Sequence, residues 1–327
     1  MIPLDRMRAR VDRAQQDSDV AYFFDLMYYG EFTLKLLTCA VLAALADDRD
    51  RNRYRLEHQL VRADSLGDWA QVLDDALAGP ASQQFVDAGH AEQRELAKQW
   101  LPTDDVWQSR AVVGLHEVCK VLDPIRGALP AKITMRRWVA DFAWLRNRTR
   151  GHGAPTAGKC AGACVHLRSS IDEVVASFVA FSRPWAHLHR SLSGKYRVTL
   201  LNGDPEPFQR FKRENWHPLP DGVYINYDEL CKVPLVATDV DIADFKIANG
   251  GFKDARYELL SYITDDRELT DATGHLAPPT ALPFSETHGT QELDVQGKSF
   301  GNIPPPLPDY VSRQMLEDEV RLASIFQ

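Results

Sequence analysis

Cysteine is scarce in this chain. Five occur in 327 residues, Cys39, Cys119, Cys160, Cys164 and Cys231, at irregular spacing. That usage argues against the disulfide framework of small secreted domains. Cys160 and Cys164 fall one helical turn apart, and His166, or His116 with Cys119, could be added to them. Structural zinc, however, takes four ligands in tight local pairs, so packing cysteines and no metal are the expectation. Long apolar runs are also missing. The longest, Leu36 to Ala46, falls short of a bilayer span, and Met1 to Gln16 is too charged for a secretory leader. Cytoplasmic residence without membrane association is therefore expected. Neither a P-loop nor a dinucleotide-type glycine pattern occurs, so no ATP, NAD or other cofactor is expected.

What is present describes an ordinary folded protein. Apolar residues make up 44% and charged residues 26%, and the length suffices for two domains. Asp17-Ser18-Asp19 reads as a cap opening a long helix from Val20 to about Ala46, with Glu31 and Lys35 spaced for an i,i+4 ion pair. Further helices are expected over Arg51 to Val61, after a Ser65 cap, around Glu92 to Trp100, over Val106 to Leu122, from Ile133 to Thr149 and from Lys159 to Phe181. Beyond Arg190 the apolar period shortens. Tyr196 to Leu201 alternates like a strand and meets the turn signal Asn202-Gly203. Gly222 to Tyr227 and Cys231 to Thr238 are further strand candidates, and Asp244 to Ala248 with Arg256 to Ile263 reads as a hairpin. The expected class is α+β: an all-α bundle over 1–190, a small and mostly antiparallel β domain over 195–275, a proline-rich linker over 276–308, and a C-terminal amphipathic helix over 309–327.

The segment with most chemical content is Arg146-Asn147-Arg148-Thr149-Arg150-Gly151-His152. Met135, Trp138, Val139, Phe142 and Leu145 form one apolar stripe of the helix leading into it. Arg146 stands four residues after Phe142 and continues that stripe. A guanidinium cannot shed its proton and is costly to bury unpaired, so an acceptor is required: a carboxylate, a carbonyl array or a bound phosphate. Gly151 suits a helix stop, and Pro155 forbids easy continuation. On an ideal helix Arg146 and His152 stand roughly 120° apart. They converge only if the helix breaks or a second copy completes the site.

An arginine followed by a polar residue, four more residues and a histidine resembles the signature of the HEPN superfamily. The segment Tyr28-Tyr29-Gly30-Glu31-Phe32-Thr33-Leu34-Lys35-Leu36-Leu37 is similar to an early helix of that superfamily carrying an acidic residue. The resemblance spans residues 1 to about 190. It implies a helical bundle and a metal-independent ribonuclease of anti-phage or toxin systems, working as a homodimer with a composite site. In that role Arg146, His152 and Asn147 would be catalytic. His152, with an ordinary pKa of about 6.5, can exchange protons at neutral pH, and Arg146 would hold the phosphate.

The net charge of −8 opposes nucleic-acid binding only as a sum, because the field at a phosphate is local. Between 136 and 168, Arg136, Arg137, Arg146, Arg148, Arg150, Lys159 and Arg168 face Asp141 alone. Arg148, Arg150, Arg136, Arg137 and Lys159 are thus the candidate RNA-binding residues. The competing expectation, from a different class, is a non-catalytic HEPN-like adaptor. Its β domain and C-terminal helix would dock a defence or signalling partner; an antitoxin is a further partner class.

Overall fold

In the computed structural model the described residues are 1–46, 50, 52–61, 63, 65–151, 155–190, 195–212, 219 and 221–234. All belong to the unit Met1–Pro278. The expected hairpin of 244–263, the proline-rich linker and the C-terminal helix lie outside them.

Eight helices build the bundle: α1 (Ile2–Asp17), α2 (Asp19–Ala43), α3 (Asn52–Val61), α4 (Leu66–Ala78), α5 (His90–Ala97), α6 (Trp107–Leu122), α7 (Met135–Arg146) and α8 (Ala157–Ser177). The short-range signals act as written in the sequence. Ser18 caps α2, its hydroxyl accepting from Ala21 N–H at 3.1 Å. Ser65 and Asp68 form a reciprocal capping box at the start of α4, satisfying amides that the first turn leaves without partners.

α2 is the axis of the bundle. Its second half, Thr33 to Ala43, is buried throughout, while Tyr28 keeps an exposed edge in the first half, and the helix packs against α1, α4 and α8. Among the described residues it is also the one helix long and apolar enough to cross a membrane; 83% of its most apolar window is buried inside the fold. α6 lies against α8 and α7, and α4 against α7. The α6–α7–α8 junction is fixed by Ser170, which accepts from the Trp138 indole at 2.8 Å and donates to the Ala111 carbonyl at 2.7 Å.

α7 does not end as the sequence predicts. Regular α-helix gives way after Arg146, earlier than the expected Thr149, to a π-helical turn over Asn147–Gly151. Within it the buried Thr149 hydroxyl donates to the Leu145 carbonyl at 2.9 Å. Such wide turns are uncommon and recur at functional sites.

Strands β1 (Trp185–Arg190), β2 (Tyr196–Asn202), β3 (Gly222–Asn226) and β4 (Leu230–Lys232) form one antiparallel sheet in the order β2-β1-β3-β4. The expected strands at 196 and 222 are present; of Cys231 to Thr238 only Cys231 and Lys232 are in a strand, Val233 and Pro234 are not, and 235–238 lie outside the described residues. β1 falls within the range expected to be helical. Its two faces serve different clusters: Trp185 joins the helical core with Leu201, Val223 and Ile225, whereas Ala186 and Leu188 pack with Tyr196, Tyr224, Phe208 and Phe211. Phe208 lies on the short α9 (Glu206–Gln209).

Polar clamps tie sheet to helices. Tyr227 donates to the Ala40 carbonyl of α2 at 2.9 Å. Arg53 of α3 reaches the Leu45 and Lys232 carbonyls at 2.8 and 3.3 Å. Arg183 pairs with the fully buried Glu92, donates to the Ala88 carbonyl and lies 4.5 Å over the Tyr227 ring.

Candidate active site at the end of the motif helix

α2 and α7 bring Glu31, Lys35 and Arg146 together. Phe142, one turn before Arg146, stacks on Trp138 with ring centroids 5.4 Å apart, which holds that side of α7 in the core. Arg146 therefore emerges at the rim, its side chain 26% exposed. Its Nε sits 3.8 Å from Glu31 Oε2, close enough for Coulomb attraction but beyond a hydrogen bond. That nitrogen is buried and makes no hydrogen bond among the described residues.

The Glu31 carboxylate is engaged on its other side. Lys35 donates to Oε1 at 2.8 Å, the i,i+4 pair the spacing predicts. Lys35 is itself almost wholly buried, its ammonium 5.6 Å from the centre of the Trp69 ring. Burial lowers its pKa, Glu31 works against that shift, and Arg146 adds to it. Among the described residues, two cations thus approach this carboxylate.

Comparison with family models, curated proteins and solved structures finds no match. Function must therefore be read from the residues.

Asn147 and Arg148 follow Arg146 in the π-helical turn. Both are exposed, and neither side chain has a hydrogen bond or ion pair among the described residues. The backbone of Arg150 belongs to the same turn; its side chain and His152 lie outside the described part.

The other candidate RNA-binding cations are committed. Arg136 pairs with Asp74 across a shallow groove between α4 and α7, lined also by Gly67, Gln71 and Val139. Arg137 bonds Asp141 at 2.9 Å, a buried carboxylate that Arg126 shares. Lys159 donates to the Leu122 carbonyl at 3.2 Å. Arg168, counted in the same basic stretch, bonds Asp172 and Asp12. Distant acids thus meet Arg136 and Arg168, near neighbours Asp141 and Asp172 meet Arg137 and Arg168, and a backbone carbonyl holds Lys159. Arg146 and Arg148 are the exceptions whose side chains are described.

The five cysteines are buried and free. Burial pushes the thiols of Cys119 and Cys164 up to about 12 and that of Cys231 to about 11, away from reactivity. Among the described residues no group of three His, Cys, Asp or Glu side chains could hold a metal ion.

Residue counting along the sequence overlooked Lys35 as part of the site. Its signal was present: a lysine on an otherwise apolar helix, four residues after an acid.

Proposed function

We propose that this protein is a metal-independent endoribonuclease of the kind its Arg-Asn-x4-His segment resembles. The observation that carries the proposal is the state of Arg146. A permanently charged guanidinium stands partly exposed at a helix end, 3.8 Å from the Glu31 carboxylate and without a hydrogen bond among the described residues, beside exposed Asn147 and Arg148. A phosphodiester oxygen is an acceptor of the right charge and geometry for such a group.

In the proposed reaction the ribose 2′-hydroxyl attacks the adjacent phosphorus in line. A base removes the hydroxyl proton, the bond from phosphorus to the 5′-oxygen breaks, and that oxygen receives a proton. The products are a 2′,3′-cyclic phosphate and a 5′-hydroxyl. His152 moves the proton, a role imidazole side chains can take near neutral pH, and Arg146 neutralises charge that develops on the phosphoryl oxygens. Asn147 orients the phosphate, Arg148 steers RNA, and a second copy of the chain contributes the paired motif across a twofold interface. The test is incubation with single-stranded RNA in EDTA. Arg146→Ala and His152→Ala are expected to abolish cleavage while remaining folded; undiminished cleavage by either folded variant rejects the assignment.

One observation favours a second reading, a HEPN-like adaptor that binds a protein partner. Arg136, Arg137 and Lys159 are all engaged by carboxylates or a carbonyl of the fold, which lessens what these candidates offer to RNA. A stoichiometric protein partner, with no cleavage in its presence, would support that reading.

A further inference from the structure

The sheet carries a polar row of its own. Residues directly opposite in an antiparallel pair share a face, with Cβ atoms about 4.5–5.5 Å apart. Arg197 of β2 stands opposite His189 of β1. Asp221, just before β3, reaches the same imidazole, its Oδ2 lying 2.7 Å from His189 Nδ1. One row therefore runs guanidinium, imidazole, carboxylate across the sheet. The next row on this face is Thr199, His187 and Val223, and beyond it Trp185 and Ile225 enter the helical core. The charged row is the open end of the face, where His189 and Arg197 are both exposed.

Asp221 is fixed twice, since its Oδ1 accepts from the Arg190 backbone N–H at 2.8 Å. A carboxylate against Nδ1 keeps a proton on that nitrogen and leaves Nε2 as the variable one. The His189 side chain is 47% exposed, and its Nε2 has no hydrogen-bond partner among the described residues. The neutral ring accepts at Nε2 and the protonated ring donates there. A hydroxyl satisfies either form, because it both donates and accepts. Arg197 has no ion pair or hydrogen bond among the described residues, and its guanidinium suits phosphate oxygens. A phosphate and a hydroxyl close together are what each unit of an RNA backbone presents. We propose that Arg197 and His189 hold one nucleotide of an RNA strand, its phosphate on the guanidinium and its ribose 2′-hydroxyl on Nε2. An open sheet face suits a strand laid across it, whereas small molecules are held in concave sites. The inference rests on the reading that RNA is what this protein engages. It adds a contact outside the motif segment that tells ribose from deoxyribose.

The test is binding of two labelled single strands of one sequence, one ribose and one 2′-deoxyribose, to the full chain, read by fluorescence anisotropy over a range of salt. Arg146→Ala is present throughout, so that cleavage at the motif does not consume the ribose probe. Arg197→Gln is expected to weaken both strands alike, by about fivefold for an exposed charge contact. It should also lower the slope of affinity against salt by about 0.7, the loss of one phosphate contact on a single strand. His189→Phe keeps a ring and removes Nε2. It is expected to lower the ratio of ribose to deoxyribose affinity by about fivefold, the scale of one hydrogen bond. Arg190→Gln is the control: Arg190 is also exposed but, as the next residue of β1, points to the other side of the sheet. It should leave the ribose preference unchanged and the salt slope close to that of the parent.

Both substituted side chains are exposed, so the variants are expected to fold. Equal binding of the two strands by the parent overturns the inference. So does a ribose preference that survives in His189→Phe, or a salt slope that survives in Arg197→Gln. If the parent prefers ribose through these two residues while wild type leaves RNA uncut, the nuclease reading fails and the sheet contact stands. If wild type cuts RNA but both variants bind as the parent does, the sheet contact fails and the nuclease reading stands.

Discussion

Gly30 of α2 lies directly against the Phe142 ring of α7. A Cβ built at Gly30 would come within 2.2 Å of Phe142 Cε2 and 2.3 Å of Cζ. This contact seats the motif helix, because Phe142 stacks on Trp138 and Arg146 follows one turn later. Gly30→Ala must push that ring off its place. We expect a loss of about 1–3 kcal/mol, the usual cost of overpacking a dense core, seen as a lower denaturant midpoint. Gly158 of α8 is the contrast. A Cβ there meets nothing within 4 Å, so Gly158→Ala should be neutral or stabilising by up to about 1 kcal/mol.

Ser170 carries two bonds at the α6–α7–α8 junction, one from the Trp138 indole and one to the Ala111 carbonyl. Ser170→Ala leaves a buried N–H donor without a partner. The expected cost is about 1–3 kcal/mol. In a Trp138→Phe background that donor no longer exists, so Ser170→Ala should cost measurably less there. Equal costs in the two backgrounds would show that the indole bond does not contribute.

His116 gives the bundle a pH dependence. It is 1% exposed, and neither ring nitrogen has a hydrogen-bond partner among the described residues. Burial, followed by the Lys120 charge, holds its pKa below the ordinary value; Asp141 and Glu117 oppose the shift, and Arg126 adds to it. The unfolded chain takes up this proton at about pH 6.5 and the folded chain only at lower pH. Below that value the unfolded state binds more protons, so stability falls as pH falls; above it the contribution is constant. His116→Leu should flatten the decline in melting temperature between about pH 7 and 5. Parallel declines in wild type and variant would contradict this assignment.

The parts of the fold visible in the sequence are those set by neighbours along the chain. The Ser18 and Ser65 caps, the Glu31–Lys35 pair and the stripe from Met135 to Leu145 all depend on residues within a few positions of each other. Strand β1 was hidden for a physical reason. Trp185 and Leu188 serve clusters on opposite faces, and Ala186 between them is also buried, so the strand shows no clean alternation of apolar and polar residues. The π-helical turn was hidden because Asn147 to Gly151 carry no local pattern that separates it from α-helix. The charge balance was hidden because acids far away in sequence close it: Asp74 meets Arg136 and Asp12 meets Arg168. The pattern singled out Arg146 and its need for an acceptor, whereas the approach of Glu31 exists only once α2 and α7 are packed together.

The most direct test of the central claim compares two oligonucleotides of one sequence in EDTA, one all ribose and one all 2′-deoxyribose. The proposed chemistry predicts cleavage of the ribose strand alone, with 2′,3′-cyclic phosphate and 5′-hydroxyl ends that disappear in Arg146→Ala. Cleavage of both strands, 3′-hydroxyl products, or an intact ribose strand would contradict it.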